Sequence, residues 1–156
     1  SRVMAWTRGT IMRAVVQRVS SAEVEVEGKI VGQITQGLLI LLGCQEGDQS
    51  ATAVQMAAQI AKLRIFEDPE GRTNLDIFAA GGEILLVSQF TLAADLRKGN
   101  RPSFTSALAP AKAKVLVEDV AQELSNKGLK VEQGVFGATM DVRSCNRGPA
   151  TYLIDV

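Results

Sequence analysis

The hydrophobic pattern along this chain switches between a period of two and a period of 3.6, and the switches outline a fold. Residues 13–20 are rich in valine and read as a strand, although their alternation is imperfect. Glu23-Val24-Glu25-Val26-Glu27 alternates strictly, Gly28-Lys29 reads as a turn, and Ile30-Val31-Gly32-Gln33-Ile34 continues beyond it. That is a hairpin with one wet face. Leu38-Leu39-Ile40-Leu41-Leu42 is apolar on both faces, which predicts a central strand ended by Gly43 and Gly47-Asp48. Asp48 or Ser50 can cap a helix running to about Leu63, with Val54, Ala57, Ala58, Ile60 and Ala61 as its apolar stripe.

Arg64-Ile65-Phe66 then leaves as a short strand, and Asp68-Pro69-Glu70-Gly71 is a turn by composition. Residues 83–92 predict a second buried strand, polar only near its end. A basic loop at 96–103 carries Arg97, Lys98 and Arg101. A second helix is expected over about 106–126, with Val117, Val120, Ala121 and Leu124 on one face and Gly128 as its stop. Three short strands follow, near 130–135, 139–144 and 150–156. The order predicts a single α+β domain with a largely antiparallel, barrel-like sheet and two main helices. A chain of 156 residues buries roughly 68–70% of its unfolded surface as one such domain.

Charge narrows the partners. Seventeen basic residues balance seventeen acidic ones, so no global field advertises a nucleic acid, although a local contact to an acidic end remains open. Cys44 and Cys145 have no metal spacing and read as buried or free thiols in a reducing compartment, and the protein is expected to be cytoplasmic. No apolar run approaches the roughly 18–20 residues of a membrane span. Residues 1–11 carry two arginines and no acid, and read as a tag, an upstream start or a targeting remnant. Patterning begins at Arg13, so the domain is expected to occupy 12–156, starting at Met12.

There is no histidine. This removes the Ser-His-Asp triad, the usual Cys-His pair, histidine metal sites and an imidazole base together. Two short polar segments remain. Ser88-Gln89-Phe90-Thr91-Leu92 stands where an apolar strand runs out, a rigid place to hold backbone N–H groups toward a reacting oxygen. It can equally be a strand end whose hydroxyls satisfy their own backbone. Asn146-Arg147-Gly148-Pro149-Ala150-Thr151 puts a proline, which lacks an N–H, inside a closing strand pair, and reads as a tight turn or a stiff functional device.

Together these two segments resemble the signature sequences of the D-aminoacyl-tRNA deacylases, in the subfamily with a cis Gly-Pro. The resemblance runs from Met12 to Val156, supported by Arg13-Ala14-Val15-Val16-Gln17-Arg18-Val19, Arg101-Pro102-Ser103-Phe104 and Val135-Phe136-Gly137-Ala138. Ala150 stands where the family often has valine, which leaves the Gly-Pro unit intact.

The resemblance implies a homodimer that needs no cofactor or metal and acts on neither DNA nor membranes. It hydrolyses the ester joining a D-amino acid, or glycine, to the 3′ end of tRNA. Ser88, Gln89, Phe90 and Thr91 would form the catalytic strand end. Gly148 and Pro149 would enter the partner's site and crowd out L side chains, with Arg18 holding their loop or serving as an ordinary surface arginine. Phe136, Gly137 and Met140 would take the terminal adenosine, or be plain core. Arg97, Lys98 and Arg101 could meet phosphates or form a solvated face. Thr91 is read as a positioning group, with a nucleophile as the alternative; nothing in sequence supplies it with a base. An RNA-end binding module and a hydrolase of free D-amino acid esters are the competing functions.

Overall fold

The computed structural model describes residues 12–97 and 99–156, so residues 1–11 and Lys98 lie outside the described residues. Eight strands and three α-helices follow in the order β1 (Arg13–Val26), β2 (Lys29–Ile34), β3 (Gly37–Gly43), α1 (Ser50–Lys62), β4 (Phe66–Glu67), β5 (Thr73–Leu75), α2 (Ile77–Ala80), β6 (Glu83–Ser88), α3 (Pro110–Asn126), β7 (Val131–Gln133) and β8 (Asp141–Asp155). A 3-10 turn, Phe90–Ala93, follows β6. Six strands make the main sheet, in the order β2-β1-β3-β6-β7 with β8 on the other side of β1, while β4 and β5 pair separately.

The sheet is mixed, which corrects the expectation of a largely antiparallel one. β1 pairs antiparallel with β2, β3 and β8, but β3–β6 and β6–β7 are parallel. The cause is the length of the connections. The segment with α1 and α2 carries the chain from β3 back to the start of β6, and α3 does the same between β6 and β7, long crossovers of the kind parallel strands require. The sheet curls until β2 approaches β7, where a Cβ on Gly32 would lie 2.5 Å from the Gln133 carbonyl oxygen. Glycine is what lets the barrel nearly close there.

Alternation then sorts the core into two halves. Leu38, Ile40, Leu42, Ile84 and Leu86 face α1 and α3, together with Ala53, Met56, Ile60, Leu116, Val120 and Leu124. Leu39, Leu85, Val87, Val24 and Ile34 fill the barrel interior. The imperfect alternation of residues 13–20 has its reason here. Ala14 and Val16 belong to the helix side, whereas Ala22 and Val24 belong to the interior, and the pairing with β8 shifts between Val19 and Ser21. One extra residue flips the phase of the strand.

Local boundaries differ from expectation for identifiable reasons. The hairpin turn is Glu27-Gly28, one residue earlier than Gly28-Lys29, because both have positive φ (51° and 79°), as a two-residue type I′ turn requires. Gln49, and not Asp48 or Ser50, precedes α1; the Asp48 carboxylate turns back to accept from the Gln45 N–H at 2.7 Å. α3 starts at Pro110 and not near 106, because the preceding segment is tied to the end of β3. Glu46 N–H donates to the Ser106 carbonyl (2.8 Å) and Leu108 N–H to the Cys44 carbonyl (3.2 Å).

The last two expected strands are one. β8 runs through the Gly-Pro unit, and its Gly148–Pro149 peptide is cis. Gln17 pairs with Thr151 and Val19 with Asn146, so four residues, 147–150, stand opposite Arg18 alone. The proline therefore sits in a bulge where no ladder bond is asked of it. Only Ala150 and Ile154 of β8 are buried, and Val142, Tyr152 and Leu153 are exposed apolar residues along it.

Candidate active site

Where β6 ends, the chain tightens into the 3-10 turn. Gln89 N–H donates to the Leu42 carbonyl (2.8 Å) and Leu92 N–H to the Gln89 carbonyl (3.2 Å). The turn lies so close to the end of β3 that a Cβ on Gly43 would stand 2.8 Å from the Gln89 oxygen. The Phe90 and Thr91 amides head this turn and meet no acceptor among the described residues, as expected for the first donors of a helical turn. Gln89 Nε2 donates to Thr91 Oγ1 (2.6 Å), and both side chains are at the surface. Phe90 is 60% exposed, and its ring meets Phe104 at 5.0 Å between centroids.

Beside the turn is a cavity of about 550 Å3. Ser88, Gln89 and Phe90 line it from one side and Phe136, Gly137 and Met140 from another. The fold thus brings the expected catalytic segment and the expected adenosine residues to one site. The loop between β7 and β8 delivers the second set. Gly137 has φ of 78°, a turn position suited to glycine, and Met140 packs against the barrel interior while Phe136 packs against the helix side. Thr91 is not among the residues lining the cavity and reaches it through Gln89.

Sequence patterning assigns no site role to the far wall, made by Phe104, Ala107, Leu108, Pro110 and Ala113. Pro110 at the start of α3 was the available signal, because it marks where a strap must end and a helix begin. That strap is braced from beneath. Ser106 Oγ donates to the Ala93 carbonyl (3.1 Å), and the Cys44–Asp48 turn holds residues 106–108. Burial raises the Asp48 carboxyl above its ordinary value, partly offset by the Gln45 N–H, and its Oδ1 has no hydrogen-bond partner among the described residues. Burial and the Asp48 charge push the Cys44 thiol up to about 12, so it is inert there, while Cys145 is exposed.

The second segment stands elsewhere in the chain. Gly148 and Pro149 do not line the cavity; they are exposed on β8. Arg18, buried to 8% exposure, donates from Nε and Nη2 to the Arg147 carbonyl (3.1 and 3.0 Å) and from Nη1 to the Ile65 carbonyl (2.7 Å). Glu67 is its ionic neighbour at 3.8 Å. Asn146 Nδ2 donates to the Arg18 carbonyl (3.1 Å), and a Cβ on Gly148 would lie 2.9 Å from Asn146 Oδ1. Arg97 is closed onto Asp95, whereas Arg101 is exposed.

The sequence profile described as D-Tyr-tRNA(Tyr) deacylase matches residues 15–155. The chain belongs to this deacylase family. A D-aminoacyl-tRNA deacylase of Lactobacillus gasseri is 51% identical over 145 residues, covering 93% of this chain and all of the relative. One from Roseiflexus castenholzii is 54% identical over 144 residues, 92% of each chain. Among solved structures, one titled c-Myc DNA Unwinding Element Binding Protein superposes with a TM-score of 0.87 at 36% identity, covering 93% of this deacylase-family chain and 99% of that one. Another, titled as a probable eukaryotic D-amino acid tRNA deacylase, has a TM-score of 0.81 at 17% identity and covers 94% and 100%. It shares the fold. No helix among the described residues of this deacylase is long and apolar enough to cross a membrane.

Proposed function

We propose that the protein hydrolyses the ester between a D-amino acid, or glycine, and the 3′-terminal adenosine of tRNA, as a chirality check on translation in the cytoplasm. One observation carries the reading: the cavity that joins Ser88, Gln89 and Phe90 to Phe136, Gly137 and Met140. Its wall is apolar and aromatic on the side suited to a flat adenine, and it opens beside two amides without acceptors.

The chemistry needs little from side chains. An aminoacyl ester is already activated, and the neighbouring ribose 2′-hydroxyl can assist water. The Phe90 and Thr91 amides stabilise the developing oxyanion, and adenosine binding supplies orientation. Thr91, held by Gln89, positions the ester and is not the nucleophile; its hydroxyl accepts from Gln89 Nε2, and no general base bonds to it among the described residues.

Selection falls to Gly148 and Pro149, acting in the partner's cavity of a homodimer. Two facts support this. The bulge does not line its own chain's cavity, and it stands on a strand with exposed Tyr152 and Leu153 that pairs with no strand but β1 among the described residues. Arg18 and Asn146 fix its backbone. A backbone wedge of this kind rejects an L side chain by collision and tolerates any D side chain or none.

Deacylation of D-Tyr-tRNA, L-Tyr-tRNA and Gly-tRNA tests the proposal. Turnover of the D and glycyl esters without the L ester is expected from a dimer. Binding without turnover would mean an RNA-end module, and hydrolysis of simple D-amino acid esters that carry no adenosine a small-ester hydrolase. Thr91→Ala is expected to keep activity within about tenfold, the worth of one hydrogen bond; complete loss with the fold intact would make Thr91 the nucleophile.

A further inference from the structure

A smaller cavity of about 260 Å3 opens next to the first, and the two share Ser88 and Phe136 as a common wall. The same elements pass from one to the other. On α3, Ala113 lines the first cavity and Lys114 the second; on the β7–β8 connection, Gly137 lines the first and Val135 the second. Their chemistry differs. Among the described residues, the larger cavity has no charged lining residue, whereas the smaller carries Lys114, Glu118 and Gln133. Lys114 and Glu118 are one helical turn apart, yet neither forms an ion pair or side-chain hydrogen bond among the described residues. Two unpaired opposite charges and a primary amide facing one small space form a recognition set with no internal partner to satisfy.

We propose that this second cavity is the subsite for the penultimate nucleotide of the substrate, a cytidine. The inference rests on the larger cavity taking the terminal adenosine. A chain whose last nucleoside fills that cavity must leave it through its 5′-phosphate, and the preceding nucleotide then needs a neighbouring place. Every mature tRNA carries cytidine before its final adenosine. Lys114 is the cation for the phosphodiester. Glu118 accepts from the exocyclic amine of cytosine, and the Gln133 amide donates to the acceptors on the same edge. Uracil carries an oxygen where cytosine carries that amine, so Glu118 repels it. The subsite therefore adds base selectivity, separate from the test of chirality.

The experiment uses D-tyrosyl esters of adenosine, of the dinucleotide cytidylyl-adenosine and of uridylyl-adenosine. For the unaltered enzyme, KM is expected to be about tenfold lower for the cytidylyl ester than for the adenosine ester, with similar kcat, one charge-assisted contact's worth. Lys114→Gln should remove that gain, and Glu118→Gln should narrow the ratio between the cytidylyl and uridylyl esters. Equal KM for the adenosine and cytidylyl esters would overturn the subsite, as would a Lys114→Gln enzyme impaired by the same factor on all three. If the unaltered enzyme hydrolyses none of them but does cleave D-Tyr-tRNA, recognition lies beyond the last two nucleotides and the subsite falls alone. If D-Tyr-tRNA also survives, the deacylase reading falls with it.

Discussion

The two motif regions of this protein are held in opposite ways. The 3-10 turn after β6 is fixed by backbone: N–H hydrogen bonds to the Leu42 carbonyl and within the turn, close approach to Gly43, and the braced strap of residues 106–108 beside it. The bulge of β8 is fixed by side chains, the guanidinium of Arg18 and the amide of Asn146, and its residues 147–149 are exposed. A region packed by its own chain resists the loss of any single polar group. A region hung on two side chains presents its backbone outward and depends on both. The first arrangement suits a reaction site, and the second a projecting selector.

The comparison breaks most visibly at Arg18. Replacing it with methionine strands the Ile65 and Arg147 carbonyls, and we expect a loss of about 2–3 kcal/mol in unfolding free energy. Discrimination between D-Tyr-tRNA and L-Tyr-tRNA should collapse with it. Unchanged stability and selectivity in denaturant titration and deacylation assays would show that side chains do not hold the bulge.

A smaller effect is expected from Gly43→Ala, which drives a methyl against the Gln89 carbonyl and the Leu92 Cβ. Overpacking of this kind costs about 1–3 kcal/mol. Because the turn is held by backbone, kcat should fall while D-over-L selectivity persists. Loss of selectivity instead would mean that the two regions are not separable.

Asp48→Asn sharpens the comparison most gently. Burial holds the Asp48 carboxyl above its unfolded value of about 3.9. Its contribution to stability is therefore complete below that unfolded value and disappears as pH rises through the higher folded value. The unaltered protein should lose stability across this window, and the asparagine variant should show a flatter profile. Identical profiles in pH-dependent thermal melts would remove Asp48 from the brace.

How far the sequence was legible follows the same division. β3 and β6 could be read because they are buried on both faces, so apolar runs mark them without reference to neighbours. The parallel pairing could not, since period and composition do not carry strand direction. β8 looked like two strands because a Gly-Pro usually ends one; the bulge opposite Arg18 is set by pairing across more than a hundred residues of chain. In the cavity, Phe136 and Met140 could be picked out as candidates, and both line it. The strap residue Leu108 could not, because its place comes from its N–H bond to the Cys44 carbonyl and not from its own chemistry.

β1 is paired with β8 on both sides of the bulge, and ion pairs stand at each end: Arg13 with Asp155, and Arg143 with Glu23 and Glu25. These act as two clamps on a ruler. A residue added to or removed from 147–150 cannot be absorbed by sliding, since a slip of one would turn Ile154 out of the core and part both clamps. The distance the loop projects is thereby set by count, while Arg147, whose side chain takes no part in the hold, is free to vary. Across descendants of this sequence, drift at that position should be common and a change in length between Asn146 and Thr151 rare.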